Sequence, residues 1–166
     1  DNAPTIPTTS FSADENQTSI ASVTASDADD SSLSFSVSGS ELLISDGGIL
    51  SFASPPDYET KSSFSATVTA SDGDLSATQS ITVNVNNLND NAPVFTSSAS
   101  FNADENQTTI GAVTANDADG NPISFAVTGP DLSISSSGVL RFILTPDYET
   151  KTTYTATITA YDAAVD

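Results

Sequence analysis

Short stretches in which every second residue is apolar recur along the chain. Leu33, Phe35 and Val37 alternate with serines, and Phe64, Ala66, Val68 and Ala70 alternate with Ser and Thr. Ile81, Val83 and Val85 stand at alternate positions of the run from Ser80 to Asn86. Further on, Ile123, Phe125 and Val127 repeat the pattern, as do Tyr154, Ala156, Ile158 and Ala160. A period of two puts one side chain in a core and the next in water, so each stretch predicts a half-buried β-strand. No stretch carries a 3.6-residue period, and the abundance of Ser and Thr disfavours long helices. The expectation is an all-β chain of β-sandwich type, its apolar stripes serving as core.

The pattern is written twice. Asp14-Glu15-Asn16-Gln17-Thr18 returns as Asp104-Glu105-Asn106-Gln107-Thr108, and Asp27-Ala28-Asp29 as Asp117-Ala118-Asp119. Pro56-Asp57-Tyr58-Glu59-Thr60-Lys61 returns as Pro146-Asp147-Tyr148-Glu149-Thr150-Lys151, again 90 positions on. Asp1-Asn2-Ala3-Pro4 matches Asp90-Asn91-Ala92-Pro93 at an offset of 89. Two tandem homologous domains follow, residues 1–88 and 89–166, joined by a linker at 87–93. The first unit continues past Asp72 to a last strand ending near Asn86, whereas only four residues follow Asp162. The second unit is therefore expected to lack its final strand. Residues outside the chain as given, or strand addition by another chain, could complete it. Both ends fall abruptly in motif-bearing sequence, which reads as a fragment of something longer.

Charge narrows the classes of function. Three Lys and Arg face 22 Asp and Glu, a net charge of −19. A phosphate backbone or an anionic membrane surface would repel such a chain. Holding so much acid in a folded body costs self-repulsion unless cations, salt or solvation offset it. With no His and no Cys, the usual general base and the usual thiolate nucleophile are missing, and no disulfide framework exists. Asp57 with Glu59 is the one tempting carboxylate pair for glycoside hydrolysis. Two residues apart in an extended stretch, they stand too close for the inverting arrangement, so no enzyme is expected. No apolar run is long enough to span a bilayer.

The joint is the most unusual stretch. Asn87-Leu88-Asn89-Asp90-Asn91-Ala92-Pro93 is rich in side-chain oxygens where a flexible linker would carry Gly and Ser. A metal-stiffened joint and an ordinary Asx-rich turn both fit the run by itself.

Taken in order and in duplicate, these motifs resemble cadherin repeats over nearly the whole chain. Asp14-Glu15-Asn16 is similar to the family's Pro-Glu-Asn, Asp57-Tyr58-Glu59 to its Asp-Arg-Glu, and residues 87–93 to its Asp-x-Asn-Asp-Asn-x-Pro. Asp117-Ala118-Asp119 resembles Asp-x-Asp, and Ala160-Tyr161-Asp162 resembles Ala-x-Asp. The resemblance implies two tandem seven-stranded Greek-key β-sandwiches, cadherin-like and immunoglobulin-like, with up to three Ca2+ ions at the joint. By matching position, the ligands would be Glu15, Asp57 and Glu59 from the first unit, and Asn87, Leu88, Asn89, Asp90 and Asn91 from the linker. The second unit would add Asp117, Asp119, Asn121 and Asp162. Calcium takes six to eight oxygens without strict geometry, which suits such a set. Asp27, Asp29 and Asp72 would form a half-site toward an upstream repeat, and Glu105, Asp147 and Glu149 one toward a downstream repeat; both are expected to be empty or weakly occupied.

Departures bear on the count of ions. Asn87 stands where the family has Asp, removing a charge, and Tyr58 and Tyr148 replace Arg. An EF-hand begun at Asp117 fails, because Pro122 and Thr128 occupy its glycine and glutamate positions. Tryptophan-dependent strand exchange, as in classical animal adhesion, is excluded for this segment, which has no Trp.

The function implied is a calcium-dependent extracellular adhesion or spacer module, on the surface of a bacterial cell by its cysteine-free, Ser/Thr/Asp-rich make-up. Its expected partners are neighbouring repeats of the same chain, with homophilic protein contact as the external candidate. The alternative is a calcium-dependent carbohydrate-binding module meeting polysaccharide.

Overall fold

A computed structural model describes residues 2–29 and 32–162. It divides into two units, Asp1–Leu88 and Asn89–Asp166. Every regular element among the described residues is a strand.

In unit 1 the strands are β1 (Ser10–Asp14), β2 (Ser19–Ser22), β3 (Ser34–Val37), β4 (Leu42–Ile44), β5 (Ile49–Phe52), β6 (Ser63–Ser71) and β7 (Ser76–Asn86). One sheet runs in the order β1-β7-β6-β3 and the other β2-β5-β4. β7 lies parallel to β1 and antiparallel to β6, so it closes the larger sheet from its middle. The alternation that identified it is realised residue by residue. Ile81, Val83 and Val85 are buried while Thr82 and Asn84 point away. They meet Val68, Ala70 and Phe64 of β6 and Leu42, Leu50 and Phe52 of the opposite sheet in one core. Burying each large aliphatic side chain contributes about 1.5–3 kcal/mol, so this cluster is what holds the two sheets face to face.

The tight β4–β5 turn depends on a glycine. Gly48 has φ +83°, and a Cβ there would come within 2.5 Å of the Val23 carbonyl oxygen. Gly138 repeats this in unit 2, where a Cβ would meet the Val113 carbonyl oxygen at 2.1 Å. The repeat therefore extends to backbone conformation as well as to side-chain pattern.

Unit 2 has β8 (Val94–Phe95), β9 (Thr109–Ala112), β10 (Ala115–Asn116), β11 (Ile123–Val127), β12 (Leu132–Ile134), β13 (Val139–Phe142) and β14 (Ile158–Asp162). The β12-β13-β9 sheet matches β4-β5-β2, and β11-β14 matches β3-β6. Its core gathers on Val113, Phe125, Leu132 and Leu140.

One expectation needs correcting. The alternation from Tyr154 to Ala160 predicts a full strand, yet residues 153–157 are not strand and β14 begins at Ile158. The reason lies in the partners. In unit 1, residues 68–71 of β6 pair with both β3 and β7, whereas residues 63–67 pair with β7 alone. The counterpart of β7, at the same 90-residue offset, would begin at residue 166, so the expectation about the final strand of unit 2 lies outside the described residues. The half of β14 that has β11 beside it forms a ladder, and the half whose partner would be that strand does not. Residues 100–104, the counterpart of β1, are likewise not strand.

Candidate metal centre

In unit 1, Glu15 follows directly on β1 and is only 2% exposed. Its Oε2 accepts a hydrogen bond from the Tyr58 amide at 2.8 Å and its Oε1 one from the Leu88 amide at 2.7 Å. The neighbouring Asn16 takes a left-handed conformation, φ 63°, which Asn tolerates better than most residues. It donates its amide to the Pro56 carbonyl at 3.0 Å, pinning the Glu15 turn against the segment that carries Asp57 and Glu59. Glu59 is exposed and offers a carboxylate oxygen within 4.8 Å of one from Glu15. Charge-assisted bonds to two amides hold Glu15 in place while its lone pairs remain able to meet a cation.

Asp57 behaves differently from a simple ligand. Its Oδ1 accepts the Thr60 amide at 3.2 Å and its Oδ2 the Thr60 hydroxyl at 2.9 Å. The Thr60 hydroxyl, then its amide, hold the carboxyl below its ordinary value. Asp57 is thus a turn cap as much as a candidate ligand. The Asp-x-x-Thr spacing carried that signal in the sequence. Asn87 and Leu88, the last residues of unit 1, are exposed.

In unit 2, Asn89 is exposed, and Asp119 organises the start of the unit. Its Oδ2 accepts the amides of Asp90 and Asn91 at 3.1 and 2.8 Å, and its Oδ1 the Asn91 side-chain amide at 3.0 Å. The same Asn91 amide donates to Asp90 Oδ1 at 2.7 Å. Asp90, Asn91 and Asp119 are therefore brought together. Asp117 is buried, 7% exposed. Its Oδ1 accepts the Asn121 amide at 3.1 Å, while its Oδ2 is buried with no hydrogen-bond partner, as is Asn121 Nδ2. Asp162 closes β14 opposite Ile123.

A buried carboxylate oxygen without a donor costs several kcal/mol in a dry interior, and such groups rarely stand unpaired. Asp72 repeats the arrangement in unit 1. The amides of Leu75 and Asp74 donate to its Oδ1 at 2.7 and 2.8 Å and lower its pKa, leaving Oδ2 buried without a partner. An oxygen-only set of carboxylates with unsatisfied buried lone pairs fits a hard divalent cation such as calcium, and fits zinc or copper poorly.

Elsewhere in unit 2, carboxylate oxygens of Glu105, Asp147 and Glu149 lie within 4.8 Å of one another, all three residues exposed. Asp147 is again capped by its threonine, Thr150, whose hydroxyl donates to Oδ2 at 2.9 Å and lowers its pKa. Asn2 donates to Asp29 at 2.6 Å in unit 1, and the Asp29 amide donates to Asp27 at 2.8 Å.

Two-sheet sandwiches in tandem, with acids gathered at their ends, define an immunoglobulin-like repeat. Residues 1–86 match the family model of a bacterial Ig domain. Human Cadherin EGF LAG seven-pass G-type receptor 1 is 33% identical over 129 residues, covering 72% of this chain and 4% of that protein. Human Cadherin-23 is 32% identical over 159 residues, 87% of this chain and 5% of its own length. The crystal structure of mouse Cadherin-23 EC22-24 superposes with a TM-score of 0.82 at 25% identity, over 98% of this chain and 61% of that one. The chain belongs to the cadherin-like repeat family, with a bacterial-Ig-type first unit. It spans only 4–5% of the length of these curated relatives.

Proposed function

We propose that the chain is a calcium-dependent adhesion or spacer module of an extracellular repeat protein, and not an enzyme. Calcium ions bound where one repeat meets the next would stiffen the joint. Glu15, Asp57 and Glu59 would contribute from unit 1, and Asn89, Asp90, Asn91, Asp117, Asp119, Asn121 and Asp162 from unit 2. Leu88 would offer its carbonyl, and Asn87 a neutral amide in place of a carboxylate.

The observation that carries this reading is the buried, partnerless Oδ2 of Asp117 in a chain of net charge −19. Selection for stability alone would replace such a carboxylate. A cation gives it a partner, and it also offsets the repulsion between acids drawn from distant parts of the sequence. Millimolar calcium outside cells would fill even weak sites.

The test is small-angle scattering of the whole chain in calcium and in chelator. Calcium should narrow the distribution of interdomain distances and raise the melting temperature. Scattering curves that superpose in the two buffers would sink the reading.

A further inference from the structure

The connection between β1 and β2, residues 15–18, and its counterpart, residues 105–108, carry a second chemical signature besides their glutamates. Among the asparagines of the chain, only Asn16 and Asn106 have Ser or Thr two residues on with no proline between, in Asn16-Gln17-Thr18 and Asn106-Gln107-Thr108. Both asparagines are exposed, and among the described residues they are the two non-glycine residues at positive φ, 63° and 62°. Each is anchored through its amide, to the Pro56 carbonyl at 3.0 Å and to the Pro146 carbonyl at 3.1 Å. The left-handed backbone accounts for asparagine at these turns. It does not account for the threonines. Thr18 and Thr108 accept the amides of Phe52 and Phe142 at 2.8 Å through their backbone carbonyls, a contact open to any residue. A hydroxyl at this spacing from an exposed asparagine in a surface turn is the acceptor pattern for N-glycosylation.

We propose that Asn16 and Asn106 are N-glycan acceptor sites, one in each unit. The proposal rests on the extracellular placement given to the chain above, and not on its calcium sites. The donor is an oligosaccharide carried on a polyprenyl diphosphate. The side-chain Nδ2 forms a bond to the anomeric carbon of the first sugar, and the bond from that carbon to the diphosphate oxygen breaks. The diphosphate leaves with the electron pair and Nδ2 releases one proton, so the transfer needs no oxidant or reductant. Two features suit the folded chain as acceptor. The residues after the asparagines, Gln17 and Gln107, are exposed as well, which leaves room for a bulky group. The bonds that hold each turn are made by the main chain, and a sugar on the side chain leaves them intact. In unit 1 the glycan would stand one residue from Glu15, whose carboxylate is 2% exposed and held by the Tyr58 and Leu88 amides. Sugar and carboxylate therefore do not compete for the same atoms.

The purified 166-residue chain, folded and in chelator, is incubated with a single-subunit oligosaccharyltransferase and a lipid-linked oligosaccharide. Peptide mapping by mass spectrometry then locates the added sugar. One glycan on each of Asn16 and Asn106 is expected. Thr18→Val and Thr108→Val, which keep the asparagine and its backbone, should each lose the glycan of their own unit and retain the other. No added mass, while a reference acceptor peptide is modified in the same tube, would overturn the proposal. So would transfer confined to peptides cut from the chain, or a glycan on Asn16 that survives in Thr18→Val. Chelator throughout keeps this outcome separate from the scattering test of the calcium reading, since sugar transfer succeeds or fails here without any metal.

Discussion

Glu15 and Glu105 occupy the same place in the two copies and live in different environments. Glu15 is 2% exposed and accepts two amide hydrogen bonds; Glu105 is exposed and accepts one, from Tyr148 at 3.2 Å. The second donor to Glu15 is the amide of Leu88, just past the end of β7. β7 pairs with β1 on one side and β6 on the other, and the Glu15 amide donates to the carbonyl of Asn86 at its end at 3.2 Å. In unit 1 a single strand therefore ties together the ladder of its neighbours, the packing of the core and the turn that carries a candidate ligand. The two copies share this motif, and in unit 1 one of the donors that hold its glutamate comes from far along the sequence.

The largest effects should come from the cores. Leu50 is fully buried in the core of unit 1, and its counterpart Leu140 lines a cavity of about 850 Å3 in unit 2. We predict that Leu50→Ala destabilises unit 1 by about 2–5 kcal/mol, since the cavity it leaves cannot collapse. Leu140→Ala should cost less, near 2 kcal/mol, because its surroundings have room to move in. Urea unfolding followed by probes in each unit measures both. Equal losses would mean that this cavity is filled or collapsed in solution.

Glu15 and Glu105 give the next step down. In chelator, Glu15→Gln should cost about 1–3 kcal/mol, because a side-chain amide hydrogen then confronts one of two backbone donors. Glu105→Gln should change stability by less than about 0.5 kcal/mol. Asp117→Asn should reverse sign with the metal. Without calcium it removes a buried unpaired charge and should be neutral or stabilising. In calcium it should lower affinity about tenfold and the melting temperature with it. A loss of stability that is the same in both buffers would make Asp117 a structural residue only.

Alternation alone located β6 and β7 and put Ile81, Val83 and Val85 in the core, because a period of two has one reading when a face is buried. The same rule failed at Tyr154 and Ala156. Their pattern matches that of Phe64 and Ala66, but a strand needs a neighbour to pair with, and side-chain order says nothing about whether one is present. Among the candidate ligands, the grouping of Asp90, Asn91 and Asp119 was legible from the motif. The burial of Asp117 was not, since exposure depends on packing around it. Nor was the engagement of both Asp57 oxygens by Thr60, although the recurrence of that spacing at Asp147 and Thr150 pointed to a shared turn.

The smallest effect concerns a feature the two copies share. Lys61 pairs with Glu41 and sits 4.5 Å from the centre of the Phe64 ring, which packs edge-on against Phe52. Lys151 does the same with Asp131 and Tyr154, beside Phe142. In a chain with three basic residues, two are thus committed to the same clamp, 90 residues apart. Both ion pairs are about half exposed, so water screens them and each is worth about 0–1 kcal/mol. The contact with the ring adds about 0.5–1 kcal/mol at such a surface. Lys61→Met keeps the stem over Phe64 and removes the charge, so it should cost less than about 1 kcal/mol, and 0.5 M salt should shrink that loss. Lys151→Met should cost less again, because residues 153–157, which hold Tyr154, are not anchored in a strand. Thermal unfolding of the two variants at low and high salt checks the order, and a larger loss at Lys151 would show that Tyr154 is held as firmly as Phe64.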